Sequence, residues 1–102
     1  MDIIILQDFI LVKRIESLLL NLNRKDYIRF HLILNKTIYN IKNYEVCFVN
    51  YSKLQSYLEK IEIAQLLCFC ECYDHVRQEL YKAKKIVQTN FEKIMDQYIN
   101  IK

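Results

Sequence analysis

Residues 52–101 read SKLQSYLEKIEIAQLLCFCECYDHVRQELYKAKKIVQTNFEKIMDQYINI, and this stretch decides the fold. One stripe runs through it: Leu54, Leu58, Ile61, Gln65, Cys68, Cys72, Val76, Leu80, Ala83, Val87, Phe91, Ile94, Tyr98 and Ile101. From Leu54 to Ile101 the stripe takes 13 steps over 47 residues, or 3.6 residues per step, the period of a straight α-helix. Ser52 followed by Gln55 has the form of a capping box and marks the start. A single helix here would be about 50 residues and roughly 75 Å long. Helices average about 11–12 residues. A break near Tyr73 and Asp74 is therefore preferred, with Asp74 as the second N-cap and one long continuous helix as the alternative.

Residues 3–22 are expected to form a core-facing helix. Ile4, Leu11, Ile15, Leu18, Leu19 and Leu22 lie within a third of the wheel, and Ile5 and Val12 widen that arc. Asn21, Asn23, Arg24 and Lys25 make a polar break, and Asp26 can cap the next helix by accepting its orphan amides. Tyr27, Phe30, Leu34, Ile38 and Ile41 then follow at steps of 3 and 4, which predicts a second helix over 26–42. Residues 36–51 are rich in Ile, Val, Tyr and Phe and admit a second arrangement, a hairpin turning at Lys42-Asn43. An isolated hairpin is barely stable, so an ordered helix-to-helix connection is preferred. The expected fold is all-α: one domain, 1–102, forming a small antiparallel bundle with helices near 3–22, 26–42, 52–72 and 75–100. No internal repeat, linker or low-complexity segment stands out.

Composition agrees. The chain has 102 residues, 53% of them hydrophobic and 26% charged, which suits a folded chain and excludes a disordered one. Gly and Pro are both absent, so collagen-like sequence, glycine-rich phosphate loops and tight glycine turns are excluded. A chain of this size buries a little over 60% of its unfolded surface, enough for a marginal core. The net charge is +3, spread evenly: residues 1–51 carry 7 basic and 5 acidic side chains, and residues 52–102 carry 8 and 7. That lacks the basic stripe of a nucleic-acid binder, and Lys82, Lys84 and Lys85 read as a solvated helix face. Asp8, Lys13, Arg14 and Glu16 interrupt the apolar run at 3–22, so no membrane span is expected. Met1 is followed by Asp2 rather than by a basic run, so no secretory leader is expected and the expected location is the cytoplasm. The abundance of Ile, Asn, Lys, Tyr and Phe points to an AT-rich gene, as in a low-GC bacterium, a mobile element or a virus.

Four cysteines invite a search for chemistry: Cys47, Cys68, Cys70 and Cys72. On one continuous helix Cys68, Cys72 and His75 share a face, and Cys47 would be the fourth ligand of a metal site. The spacing matches no common zinc pattern, and Cys68 and Cys72 lie on the apolar stripe, so packing as small hydrophobes is the preferred role. Cys70 points the other way, as an exposed thiol. His31 sits on a helix flank, and neither it nor His75 has a nucleophile and orienting acid placed around it, so no catalytic residue is assigned and no enzyme is expected. Glu59 and Glu62 alternate with Lys60 as on a solvated face, and Tyr57 and Tyr98 fall on or near core stripes.

The expected function is binding: a small helical protein, needing no cofactor or small-molecule substrate, that occludes or scaffolds another protein or itself. In size and helical build it resembles the small bundle proteins that confer immunity to bacteriocins, and equally phage and viral inhibitors. That resemblance is one of architecture and carries no residue. The alternatives are a metal or redox module on Cys68, Cys72 and His75, and a nucleic-acid accessory protein acting through Lys82, Lys84 and Lys85. The expected interface is Ile3, Leu6, Phe9 and Ile10, which stand on the side of the first helix away from its core arc. A homodimer about a two-fold is its expected use.

Overall fold

Among its described residues the computed structural model has four helices: α1 (Ile3–Asn23), α2 (Tyr27–Tyr44), α3 (Tyr51–Cys68) and α4 (Tyr73–Asn100). The structure describes the backbone of residues 3–44 and 51–100 and the side chains of residues 7–43 and 52–88. Among these residues there is no strand. The all-α bundle is as expected, and α3 and α4 are distinct helices, not one continuous rod.

The turns explain where the helices stop. At the end of α1 the Lys25 N–H donates to the Leu22 carbonyl and the Asp26 N–H to the Asn21 carbonyl. At the end of α3 the Glu71 N–H donates to the Cys68 carbonyl and the Cys72 N–H to the Leu67 carbonyl. Both are Schellman motifs, with Lys25 (φ 60°) and Glu71 (φ 54°) in the left-handed position that glycine normally fills. In a chain without glycine two side-chain-bearing residues take that role. The second turn therefore lies at 69–72, not at Tyr73 and Asp74, and α3 ends at Cys68 rather than at 72. Asp74 is not the cap: the Cys72 carbonyl accepts the Val76 N–H, and Asp74 sits in the first turn, 3.0 Å from Arg77. Asp26 does cap α2, its Oδ1 accepting the Arg29 N–H at 3.2 Å. α3 opens at Tyr51, so Ser52 lies inside the helix, where its carbonyl accepts the Ser56 hydroxyl. The hairpin alternative fails over 38–44, because α2 continues to Tyr44 and Lys42-Asn43 is its last turn. Ile38 and Ile41 are buried core residues, and packing overrides their strand propensity.

Cross-bundle contacts set the topology. Glu16 meets Lys84, Asn23 meets Arg77, Tyr27 stacks on Tyr73 and Asn35 bonds Gln65; in each pair the residue numbers sum to 100. α1 is therefore antiparallel to α4, and α2 to α3. Asp8 reaches Lys53 and Leu11 reaches Tyr57, so α1 and α3 run parallel on the diagonal. This is an up-down-up-down bundle.

The two hairpins, α1–α2 and α3–α4, match at an offset of 46 residues. The left-handed turn residues Lys25 and Glu71 correspond, as do the first residues of the following helices, Tyr27 and Tyr73. Leu11, Val12, Ile15 and Leu18 are buried, and so are Tyr57, Leu58, Ile61 and Ala64. Phe30, Leu34, Thr37 and Ile41 are buried, and so are Val76, Leu80, Ala83 and Val87. An approximate two-fold thus relates the halves, although few matched residues are identical. Near its axis the Tyr57 hydroxyl, wholly buried, donates to the Leu11 carbonyl at 3.1 Å. An ionic contact crosses the diagonal between Asp8 and Lys53. Asp8 is buried and Lys53 partly so, and the ammonium lies 2.6 Å from each carboxylate oxygen.

Candidate functional site

The cysteine cluster loses its shared face because the helix stops. Cys68 is the last residue of α3, Cys70 is exposed in the turn, and Cys72 lies past the left-handed Glu71. The Cys72 thiol turns back to the Cys70 carbonyl at 3.5 Å, and His75 is exposed on α4. Cys68, Cys72 and His75 are thus not gathered on one helical face. Among the described residues no three His, Cys, Asp or Glu side chains are grouped to hold a metal ion. Cys47 lies outside the described residues. Cys68 packs half-buried against the core, and burial pushes its thiol up to about 11 from 9.0. Such a thiol carries little thiolate at neutral pH and is a poor nucleophile.

Other sequence candidates resolve as surface or core. Lys82 pairs with Glu79 at 3.0 Å, and Lys84 reaches across to Glu16 at 3.8 Å, so both face carboxylates. Glu62 meets Lys42 on α2 at 3.5 Å, and Glu59 is exposed. Tyr57 is core; Tyr98 lies outside the described side chains. His31 is half-buried, edge-on to Phe30 with ring centroids 5.5 Å apart. It lines a cavity of about 510 Å³ with Asn35, Gln65, Cys68, Phe69, Glu71 and Tyr73, a groove between α2 and the α3–α4 turn. A second open groove, about 530 Å³, runs over the outside of α3 between Ser52 and Leu66. No described helix is long and apolar enough to cross a membrane.

The expected α1 interface is only half within view. Phe9 and Ile10 are exposed, with Lys13 Nζ 5.4 Å from the Phe9 ring centre; the side chains of Ile3 and Leu6 lie outside the described set. Leu20 is exposed as well, so α1 is not buried all round.

Among the described side chains a larger apolar exposure lies on α2. Ile28 is 78% exposed, Leu32 66% and Tyr39 55%. At 100° per residue these three fall within a 40° arc, opposite the buried Phe30, Leu34 and Ile41. Across the groove stand Phe69, 83% exposed, and Leu66, 64%. The bundle's two-fold provides an internal control. The positions of α4 that match Ile28, Leu32 and Tyr39 are Asp74, Gln78 and Lys85, all exposed and all polar. The outward arc of α4 also holds Tyr81, 50% exposed, and its match on α2 is the exposed Asn35, so three of four matched outward positions are apolar on α2 and polar on α4. Sequence periodicity misses this face because attention goes to the stripe with more members. The signal is present, since Ile28, Leu32 and Tyr39 are spaced i, i+4, i+11.

Comparison of the chain with protein-family models, with characterised proteins and with solved structures finds no match.

Proposed function

We propose that this chain is a non-enzymatic protein-binding bundle whose binding surface is the outward face of α2, with Phe69 and Leu66 on its border. One observation carries the reading: α2 exposes Ile28, Leu32 and Tyr39 where the matching positions of α4 are Asp74, Gln78 and Lys85. Scattered exposed apolar residues are ordinary, but a contiguous apolar patch marks an interaction site. The five side chains expose together about 700 Å², taking about 200 Å² for a fully exposed large apolar residue. Binding at this face would act by occlusion or scaffolding, as in an inhibitor, an immunity protein or an accessory protein. Phe9 and Ile10 on α1, with Ile3 and Leu6, form a second and smaller candidate surface.

The test is a pair of substitutions at exposed positions. Ile28→Asp with Leu32→Asp should keep the helical circular dichroism spectrum and the cooperative unfolding of the parent. Tagged parent should retain its bound protein from cells that express the gene naturally, including untagged copies of itself, and the double variant should lose it. Equal retention by parent and double variant would show that this face binds nothing.

A further inference from the structure

We infer that the occupant of the α2 face is a second copy of this chain, related by a two-fold that runs along α2. The inference rests on the protein-binding reading above and names the partner. The argument begins with charge. Viewed from outside, the apolar row has two unlike borders. His31, Asn35 and Lys42 lie toward α3, since Asn35 bonds Gln65 and Lys42 pairs with Glu62. Arg29 and Lys36 fall on the opposite side of the row, and Tyr27–Tyr44 contains no acidic residue at all. The α3 border, by contrast, carries Glu62 and Glu71 beyond the groove. Both borders are mixed, since Asp26 lies 3.9 Å from Arg29 and Lys42 lies 3.5 Å from Glu62, and the excess is one positive charge on the first border and one negative charge on the second.

A two-fold along α2 lays the net-positive border of each copy over the net-negative border of the other. Heights along the axis also match. Tyr27 is level with Tyr73 and Asn35 with Gln65 within one copy. Arg29 is therefore level with Glu71, and Lys36 within a turn of Glu62. A two-fold along the helix preserves height, so these become Arg29 to the partner's Glu71 and Lys36 to the partner's Glu62, each made twice. The same rotation sets the row Ile28, Leu32 and Tyr39 into the groove between α2 and α3 of the other copy, beside Phe69. A two-fold across α2 would instead oppose Arg29 and Lys36 to themselves. An acidic helix from another protein would suit the net-positive border but face Glu62 and Glu71 on the other. The exposed apolar area, about 700 Å² per copy, approaches the roughly 800 Å² per partner of a standard interface.

The test uses the full chain in sedimentation velocity across the micromolar range. Parent protein should be a dimer that dissociates on dilution. Leu32→Asp and, separately, Tyr39→Lys should be monomers with unchanged circular dichroism. Arg29→Glu and Glu71→Arg should each weaken the dimer about 3- to 30-fold, two exposed ion pairs being lost per dimer. Combined in one chain they should restore it to within about threefold, because the pair is re-formed with its signs exchanged. A parent that stays monomeric at high micromolar concentration overturns the inference, as does a dimer indifferent to Leu32→Asp, or a double charge variant weaker than either single one. If the parent is monomeric while Leu32→Asp still abolishes capture of a different protein, self-pairing falls and the binding face stands. If capture is also unchanged, both fall.

Discussion

Replacing Lys25 with glycine should stabilise this protein, and the size of the gain follows from the turn. Lys25 closes α1 at φ 60°, where its Cβ crowds the neighbouring carbonyl. For a residue with a side chain the left-handed conformation costs about 1–2 kcal/mol. Glycine removes that cost but adds about 0.4–1 kcal/mol of unfolded-chain freedom. The net expectation is about 0.5–1 kcal/mol more stability for Lys25→Gly. The Lys25 and Asp26 amides keep their bonds to the Leu22 and Asn21 carbonyls throughout. Lys25→Ala is the control: it removes the same side chain and keeps the Cβ, so it should gain nothing. Urea unfolding followed by circular dichroism, at one fixed protein concentration, gives both values from midpoints at constant slope. For a chain of this size the glycine gain is about 2–5 °C in Tm. If glycine and alanine behave alike, or glycine lowers the midpoint, strain at the turn is not what the left-handed angle reports. Glu71→Gly should repeat the effect at the second turn.

Lys53→Met should cost about 3–5 kcal/mol by leaving Asp8 buried without its cation, whereas Asp8→Leu combined with Lys53→Met should come back to within about 1 kcal/mol of the parent in the same urea assay. Tyr57→Phe should cost about 0.5–1.5 kcal/mol through the lost bond to the Leu11 carbonyl, and Tyr57→Ala about 3–5 kcal/mol through the cavity it leaves. At pH 8 Cys68 should react with a maleimide roughly 10-fold more slowly than a thiol at the ordinary value of 9.0, as read by mass spectrometry of the native protein. Its folded pKa is the raised one, so the neutral thiol is what the fold stabilises. That contribution is present below about pH 9 and is lost as pH climbs toward about 11, and Cys68→Ser should flatten the decline.

Local physics made much of the bundle legible in the sequence. Phe30, Leu34, Ile38 and Ile41 are spaced for one helix face and are all buried. Asp26 is legible as a cap because its carboxylate has one obvious use beside a fresh helix. The break at 69–72 is displaced from the expected one because its signal is normally glycine, and here Glu71 takes the left-handed angle unannounced. Cys72 keeps the 3.6-residue count going through a turn that ends the helix, which makes the metal face look plausible on paper. The Asp8–Lys53 pair joins residues 45 apart, and no periodicity links them. The α2 face becomes informative only when set beside α4, and that comparison needs the two-fold, which so few identical residues leave invisible in the sequence.

The buried pair also tells one half of the chain from the other. Two alike hairpins offer each other alike surfaces, so a first hairpin could pair with the first hairpin of a different molecule, and a second with a second. The offset of 46 shows what each mistake would bury. Position 7 is the counterpart of Lys53 and holds Gln7; position 54 is the counterpart of Asp8 and holds Leu54. Two first hairpins would set Asp8 against glutamine, and two second hairpins would set Lys53 against leucine. Each error leaves a largely buried charge without its counter-charge, twice over, and such a charge costs up to several kcal/mol. Only one first half joined to one second half neutralises both. Asp8 and Lys53 thus act as a lock and its key between halves that shape alone would leave interchangeable.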